Sequence, residues 1–205
     1  MKKRNFYVAT SEEIKHGRTT DVYFERTKRV LEAKGKDRVR VFAEVTTGAL
    51  PDGKPWGVLC GVEEVARLLE GLPVDVCSMP EGSIFSPYDS AGVRMPVMTV
   101  EGAYHGFCEY ETPLLGFICH ETGVASRAAY VKLAAGDKQV VAFGIRRIHP
   151  AVTPAFDRAA YIGGMDGVSS ILGAEIVGAP AIGTMPHALI VTFGDQVAAW
   201  RAYDE

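Results

Sequence analysis

The sequence has no run of apolar residues long enough for a membrane-spanning helix, which argues against an integral helical membrane protein. It has no excess of positive charge. The 22 Lys and Arg against 25 Asp and Glu give a formal net charge of −3, so no global field recruits nucleic acid. The four cysteines, Cys60, Cys77, Cys108 and Cys119, form no CxxC pair, and the five histidines are scattered, so the spacing of a zinc site is missing. The cysteines read as reduced thiols, buried or half-buried. The chain starts with basic residues, Met1-Lys2-Lys3-Arg4, but 5–13 is too short and polar for the core of a signal peptide. Internal repeats and low-complexity segments are also missing. What is present is the composition of a globular cytoplasmic protein, 47% hydrophobic and 23% charged, with room in 205 residues for one large or two small domains.

Periodicity divides the chain into two textures. In 20–33, Val22, Tyr23, Thr27, Val30 and Leu31 recur at helical spacing, with Asp21 in the first turn and Gly35 past the end. In 38–46, Val39, Val41, Ala43 and Val45 alternate onto one face of a strand. An amphipathic helix follows over 62–69. Short strands are expected at 74–76, 83–85 and 97–100, broken by Pro80, Gly82, Pro87, Gly92 and Pro96. This is an α+β unit with an antiparallel sheet, assigned to 1–112 as a sandwich domain.

Beyond it, 114–135 is apolar and alanine-rich and reads as a long helix that joins the units, with a bend expected at Gly123. The continuous apolar run 139–145 reads as a strand buried on both faces. A helix is expected over 154–162, a strand within 174–182, a helix near His187 and a closing helix over 195–203. The alternation implies parallel β/α units in a second domain, 113–205. A closed barrel takes about eight such units. Only two or three are visible, so the barrel is incomplete and at least one parallel edge lies open.

The residues with chemical promise sit at the ends of these strands. Arg146 and Arg147 end the run Phe143-Gly144-Ile145-Arg146-Arg147, where parallel architectures hold ligands, and a guanidinium fork suits carboxylate or phosphate. A structural ion pair or a solvated loop explains them equally well. The turn Gly163-Gly164-Met165-Asp166-Gly167 offers backbone amides to an anion, and Asp166 could orient a hydroxyl or an arginine; a plain connecting turn is the simpler reading. No P-loop lysine follows. In Gly183-Thr184-Met185-Pro186-His187, Thr184 can bond a carboxylate, and Pro186 opens a helix that carries His187 in its first turn. A histidine there faces aligned amide donors, a setting for a nucleophilic imidazole, although a merely packed histidine fits as well. Tyr23 and Phe143 could stack on a flat ring or simply pack.

Taken together and in order, several stretches resemble nicotinate phosphoribosyltransferases, above all the archaeal and related bacterial branch. They are Thr20-Asp21-Val22-Tyr23-Phe24, Pro80-Glu81-Gly82-Ser83-Ile84-Phe85, Glu111-Thr112-Pro113-Leu114-Leu115-Gly116, Phe143-Gly144-Ile145-Arg146-Arg147, Asp157-Arg158-Ala159-Ala160-Tyr161-Ile162-Gly163-Gly164, Asp166-Gly167-Val168-Ser169 and Gly183-Thr184-Met185-Pro186-His187-Ala188. The resemblance implies an N-terminal α/β sandwich on the first units of a type II phosphoribosyltransferase barrel, with active sites completed across a dimer. It implies transfer of the ribosyl group of phosphoribosyl pyrophosphate to nicotinate, making nicotinate mononucleotide for NAD salvage. ATP, with Mg2+ as its accompanying ion, assists through a phosphorylated histidine, and no cofactor is tightly held. Carried over, Tyr23 and Phe143 contact the nicotinate ring, Thr184 contacts nicotinate, Arg146 lines the anionic pocket and His187 takes the phosphoryl group.

Two departures stand out. Ile145 replaces a threonine that most of the family carries, and family chains are much longer. The missing half would bring another arginine and the loops for the ribose phosphate. The expected partners are therefore a second copy or a chain that supplies the rest of the barrel. Two other readings remain open at this point: a related phosphoribosyltransferase for quinolinate or nicotinamide, and a non-catalytic remnant that binds a partner or nucleotide.

Overall fold

The computed structural model describes residues 4–204. Helix α1 (Ser11–Lys15) is closed by a capping box between Thr10 and Glu13. Helix α2 (Val22–Ala33) forms where its periodicity predicts a helix, with Asp21 just before the first turn rather than in it. Strand β1 (Arg40–Thr46) then leads through a turn to β2 (Gly57–Val58) and to α3 (Val62–Leu69). Strands β3 (Val74–Ser78), β4 (Ile84–Phe85) and β5 (Pro96–Ala103) follow. The three longer strands form an antiparallel sheet in the order β1-β5-β3, and β2 pairs with β4 in a separate two-stranded ribbon. The N-terminal unit is thus α+β with antiparallel strands, as expected.

The alternation in β1 explains its place. Val41, Ala43 and Val45 turn inward onto the core, while Phe42 and Glu44 face out. That core collects Leu59, Val65, Leu68, Leu69, Phe85, Val97, Met98, Val100, Leu114 and Ile118, among others. Each fully buried aliphatic side chain here stabilises the fold by about 1.5–3 kcal/mol over the exposed state.

Helix α4 runs without interruption from Glu111 to Ala135 and passes straight through Gly123, where a bend was expected. The expected boundary at 112/113 falls in its first turn. Leu114 and Ile118 of α4 pack in the first core, and Ala125 and Ala128 pack in two smaller, alanine-rich clusters. One helix therefore serves both halves of the chain.

The second half departs from expectation in two places. The run 139–145 is not one buried strand. Only Val141–Ala142 (β6) pairs, and the chain then tightens into a 3-10 turn over Gly144–Arg147. Gly144 has no side chain to pack on a sheet, and it lies close beside the Phe156 ring. No strand lies within 174–182 either. After helix α5 (Thr153–Ile162) and strand β7 (Gly167–Val168), residues Ile171–Val177 form helix α6. The Ser170 hydroxyl caps α6 by accepting from the Gly173 N–H at 2.9 Å, and Gly178 ends it at a φ of 71°. Those local signals outweigh the apolar content of 174–177. Residues 179–186 have no regular structure, and helices α7 (His187–Phe193) and α8 (Gln196–Asp204) close the chain. β6 and β7 pair in parallel, and neither they nor the other strands close a barrel among the described residues. No helix of the described residues is long and apolar enough to cross a membrane.

Candidate active site

The parallel pair β6–β7 organises the predicted site residues. Val141 lies opposite Gly167 and Ala142 opposite Val168. The Ile182 N–H donates to the Val168 carbonyl at 2.9 Å, so 182 sits beside β7 on the open side. Phe143 and Arg146 follow β6 directly; Thr184 and His187 follow Ile182. Phe143 is 49% exposed. Arg146, Thr184 and His187 are exposed, and neither Arg146 nor Arg147 forms an ion pair among the described residues. His187 is the first residue of α7, directly after Pro186.

Tyr23 belongs to the other half. It lies on α2, half-exposed, with its ring 4.2 Å from that of Phe24. Burial raises its phenol pKa, and the Asp21 and Glu111 carboxylates push it the same way. Asp21 in turn accepts from the Thr112 hydroxyl at 2.9 Å. Within this chain Tyr23 does not stack on Phe143.

Asp166 has a structural task in this chain. Its carboxylate accepts from Lys132 and from the Val140 N–H, both at 2.7 Å, and these two bonds hold its pKa down. The glycine turn is thereby pinned to α4 and to the start of β6. Asp157, fully buried, plays a similar part by accepting from the Ser170 N–H at 3.2 Å and from its hydroxyl.

A charged cluster between the halves has no local signature in the sequence. Arg158 on α5 donates to both oxygens of Glu81, at 3.0 and 2.8 Å. It also lies 3.2 Å from Glu63 and 3.6 Å from Glu121. The Gly61 N–H adds a bond to Glu81 at 2.7 Å. Burial alone would raise the Glu81 pKa, but the bonds from Arg158 and Gly61 outweigh it and hold the carboxyl at about 2. Glu121 is only 2% exposed, and burial, reinforced by Glu64, pushes it up to about 7. Burial and the surrounding carboxylates also push the Cys60 thiol far up, so it is an inert proton donor, 3.6 Å from Glu121. Donor atoms of Cys60, Glu81 and Glu121 lie within 4.8 Å of one another, as metal ligands do. Arg158 already occupies that charge position, and a metal cation would have to displace it. Glu81 and Arg158 do fall in stretches that carry the family resemblance, but nothing local announces that they pair.

The comparisons with known proteins bear on the same elements. Residues 21–122 match the family described as Quinolinate phosphoribosyl transferase, N-terminal domain. The solved nicotinate-nucleotide pyrophosphorylase of Pyrococcus furiosus superposes with a TM-score of 0.93 at 56% identity, over 99% of this chain and 50% of that one. The fold is that of the nicotinate- and quinolinate-type phosphoribosyltransferases. Human Nicotinic Acid Phosphoribosyltransferase superposes with a TM-score of 0.75 at 25% identity, over 84% of this chain and 40% of its own. Nicotinate phosphoribosyltransferase pncB1 of Mycobacterium tuberculosis is 31% identical over 175 residues, 71% of this chain and 37% of that protein. The chain therefore spans half or less of the length of each of these three proteins.

Proposed function

We propose that the chain provides part of a nicotinate phosphoribosyltransferase of NAD biosynthesis. The observation that supports this most is local: an exposed aromatic ring and two guanidinium groups without an ion pair among the described residues follow β6, while Thr184 and His187 follow Ile182, which bonds to the neighbouring strand β7. A flat anionic ring needs that combination. Phe143 offers a face, Arg146 and Thr184 meet the carboxylate, and Tyr23 of the partner subunit supplies the second face. The pyridine nitrogen bonds to the ribose carbon as pyrophosphate leaves, and positioned cations stabilise the departing charge.

ATP is the proposed co-substrate, accompanied by Mg2+, with no tightly bound cofactor. His187 fits the role of phosphoryl acceptor because it is exposed at the first residue of α7. The working form is a homo-oligomer, or a complex with a polypeptide that supplies the remaining units.

A second reading is a quinolinate phosphoribosyltransferase. The name of the matching domain family favours it, and so does Arg147, whose guanidinium has no ion pair among the described residues and could take a second carboxylate. Competition among nicotinate, quinolinate and nicotinamide for phosphoribosyl pyrophosphate decides, with the assembled enzyme and labelled nicotinate. Nicotinate mononucleotide should form, and His187→Ala should remove the stimulation by ATP. Equal stimulation in that variant rules out the phosphohistidine, and preference for quinolinate rules out the nicotinate reading.

A further inference from the structure

A cavity of about 440 Å3 lies between helix α4 and the end of the antiparallel sheet, and none of the residues assigned to substrate lines it. Leu59, Phe85, Val97 and Ile118 form its inner wall and are buried. Ala49, Leu115 and Cys119 are exposed and mark its mouth. No charged side chain lines it among the described residues. An ion inside would give up its water and find no opposite charge. Nicotinate, phosphoribosyl pyrophosphate and ATP are all anions and do not suit it.

Helix α4 keeps this space open. Gly123 lines the cavity from the middle of a 25-residue helix, where glycine weakens the helix. Close packing does not demand it, because a Cβ at Gly123 would meet nothing within 4 Å. Three residues on, Ser126 brings polarity to the wall. Ser126 is 7% exposed, its hydroxyl accepts from the Val58 N–H at 2.8 Å, and its own proton has no acceptor among the described residues. The Thr122 hydroxyl is already spent: it accepts from the Cys60 N–H and donates to the Cys60 carbonyl, both at 3.1 Å. These bonds tie α4 to β2 and to Cys60, so the wall is held in place before any ligand arrives.

We infer that this cavity binds a small uncharged molecule, hydrocarbon over most of its surface, with one acceptor oxygen. The Ser126 hydroxyl donates to that oxygen, and Leu59, Phe85 and Ile118 cover the apolar part. Pockets of roughly 300–1,000 Å3 with apolar walls and a few placed polar groups take ligands of this kind. Apolar walls have little hold on water, so an apolar guest displaces little that was bound. The inference goes beyond the transfer reaction and needs neither catalysis nor a second polypeptide.

The test titrates this chain with prodan, a neutral fluorescent naphthyl ketone whose emission shifts to the blue in apolar surroundings. Saturable one-to-one binding with a blue shift is expected. Gly123→Leu fills the space from a helical position that has room for it, so it should fold as the wild type does and weaken binding about tenfold or more. Gly116→Leu, at an exposed position of the same helix, should leave binding unchanged. Ser126→Ala should weaken prodan about 2–10-fold, the worth of one neutral hydrogen bond, and leave the affinity for ethylnaphthalene, which has no acceptor, as it was. Saturating prodan should also slow the alkylation of Cys119 at the mouth by iodoacetamide. Equal affinity in the wild type and in Gly123→Leu overturns the inference. So does a folded wild-type chain with no saturable site, and so does displacement of prodan by naphthalene sulfonate, an anion of similar shape, at a comparable concentration.

Discussion

Arg158 and Glu81 form a two-pronged ion pair, at 2.8 and 3.0 Å, that fastens helix α5 to the loop before β4. The pair sits in a pocket with three further carboxylates, Glu63, Glu64 and Glu121, so one guanidinium neutralises more than one acid. Removing it leaves buried negative charge without a partner. Arg158→Met should cost about 3–5 kcal/mol of stability, read as a lower urea midpoint. A change below 1 kcal/mol would show that water already screens the cluster.

Glu121 gives this cluster a pH signature. Its folded pKa, about 7, lies above the ordinary value of 4.5, so the folded protein holds this proton longer than the unfolded chain. Its contribution is fully present below about 4.5 and is lost as pH rises towards 7. Glu81 has the opposite sign: its contribution is present above 4.5 and is lost as pH falls through about 2. Glu121→Gln should therefore flatten the stability profile between pH 4.5 and 7 and leave the acid limb in place. Urea titrations at several pH values check this, and an unchanged slope would falsify the assignment.

Helices α4 and α5 touch through a glycine. A Cβ at Gly163 would lie 2.3 Å from the Ala125 carbonyl oxygen and 2.7 Å from the Ala128 Cβ. Backbone cannot yield there as a flexible side chain would. Gly163→Ala should destabilise by about 1–3 kcal/mol through overpacking, seen as a lower Tm. Gly164→Ala is the useful contrast: its cost comes from its φ of 96°, with only the Lys132 chain nearby.

Phe143 is the most direct test of substrate contact. It is half-exposed and supports no buried cluster, so Phe143→Ala should fold normally. In the assembled enzyme, loss of one aromatic face worth about 0.5–1.5 kcal/mol should raise KM for nicotinate about 2–10-fold and leave KM for phosphoribosyl pyrophosphate alone. An equal rise in both would place Phe143 in a structural role.

The first half was legible because its burial follows its periodicity. Val41, Ala43 and Val45 alternate in sequence and point inward in the sheet, and α3 shows its buried stripe of Val65, Leu68 and Leu69. The second half was harder because its core is alanine and glycine, which carry little periodic signal. A short apolar run such as 174–177 fits strand or helix, and the deciding cues were Ser170 before it and Gly178 after it. Of the candidate site, the strand-end residues were readable as motifs. The Arg158 cluster was not, because Cys60, Glu81, Glu121 and Arg158 come from four distant segments.

Helix α4 binds these parts into one cooperative body. Its first turns help roof the core of the antiparallel sheet, and its later turns carry the alanine contacts under β6 and β7. Proteolytic nicking within it would uncover both cores at once. Amide protons along its buried face should be the slowest in the molecule to exchange, and at one common rate, because neither half can open while the other stays shut.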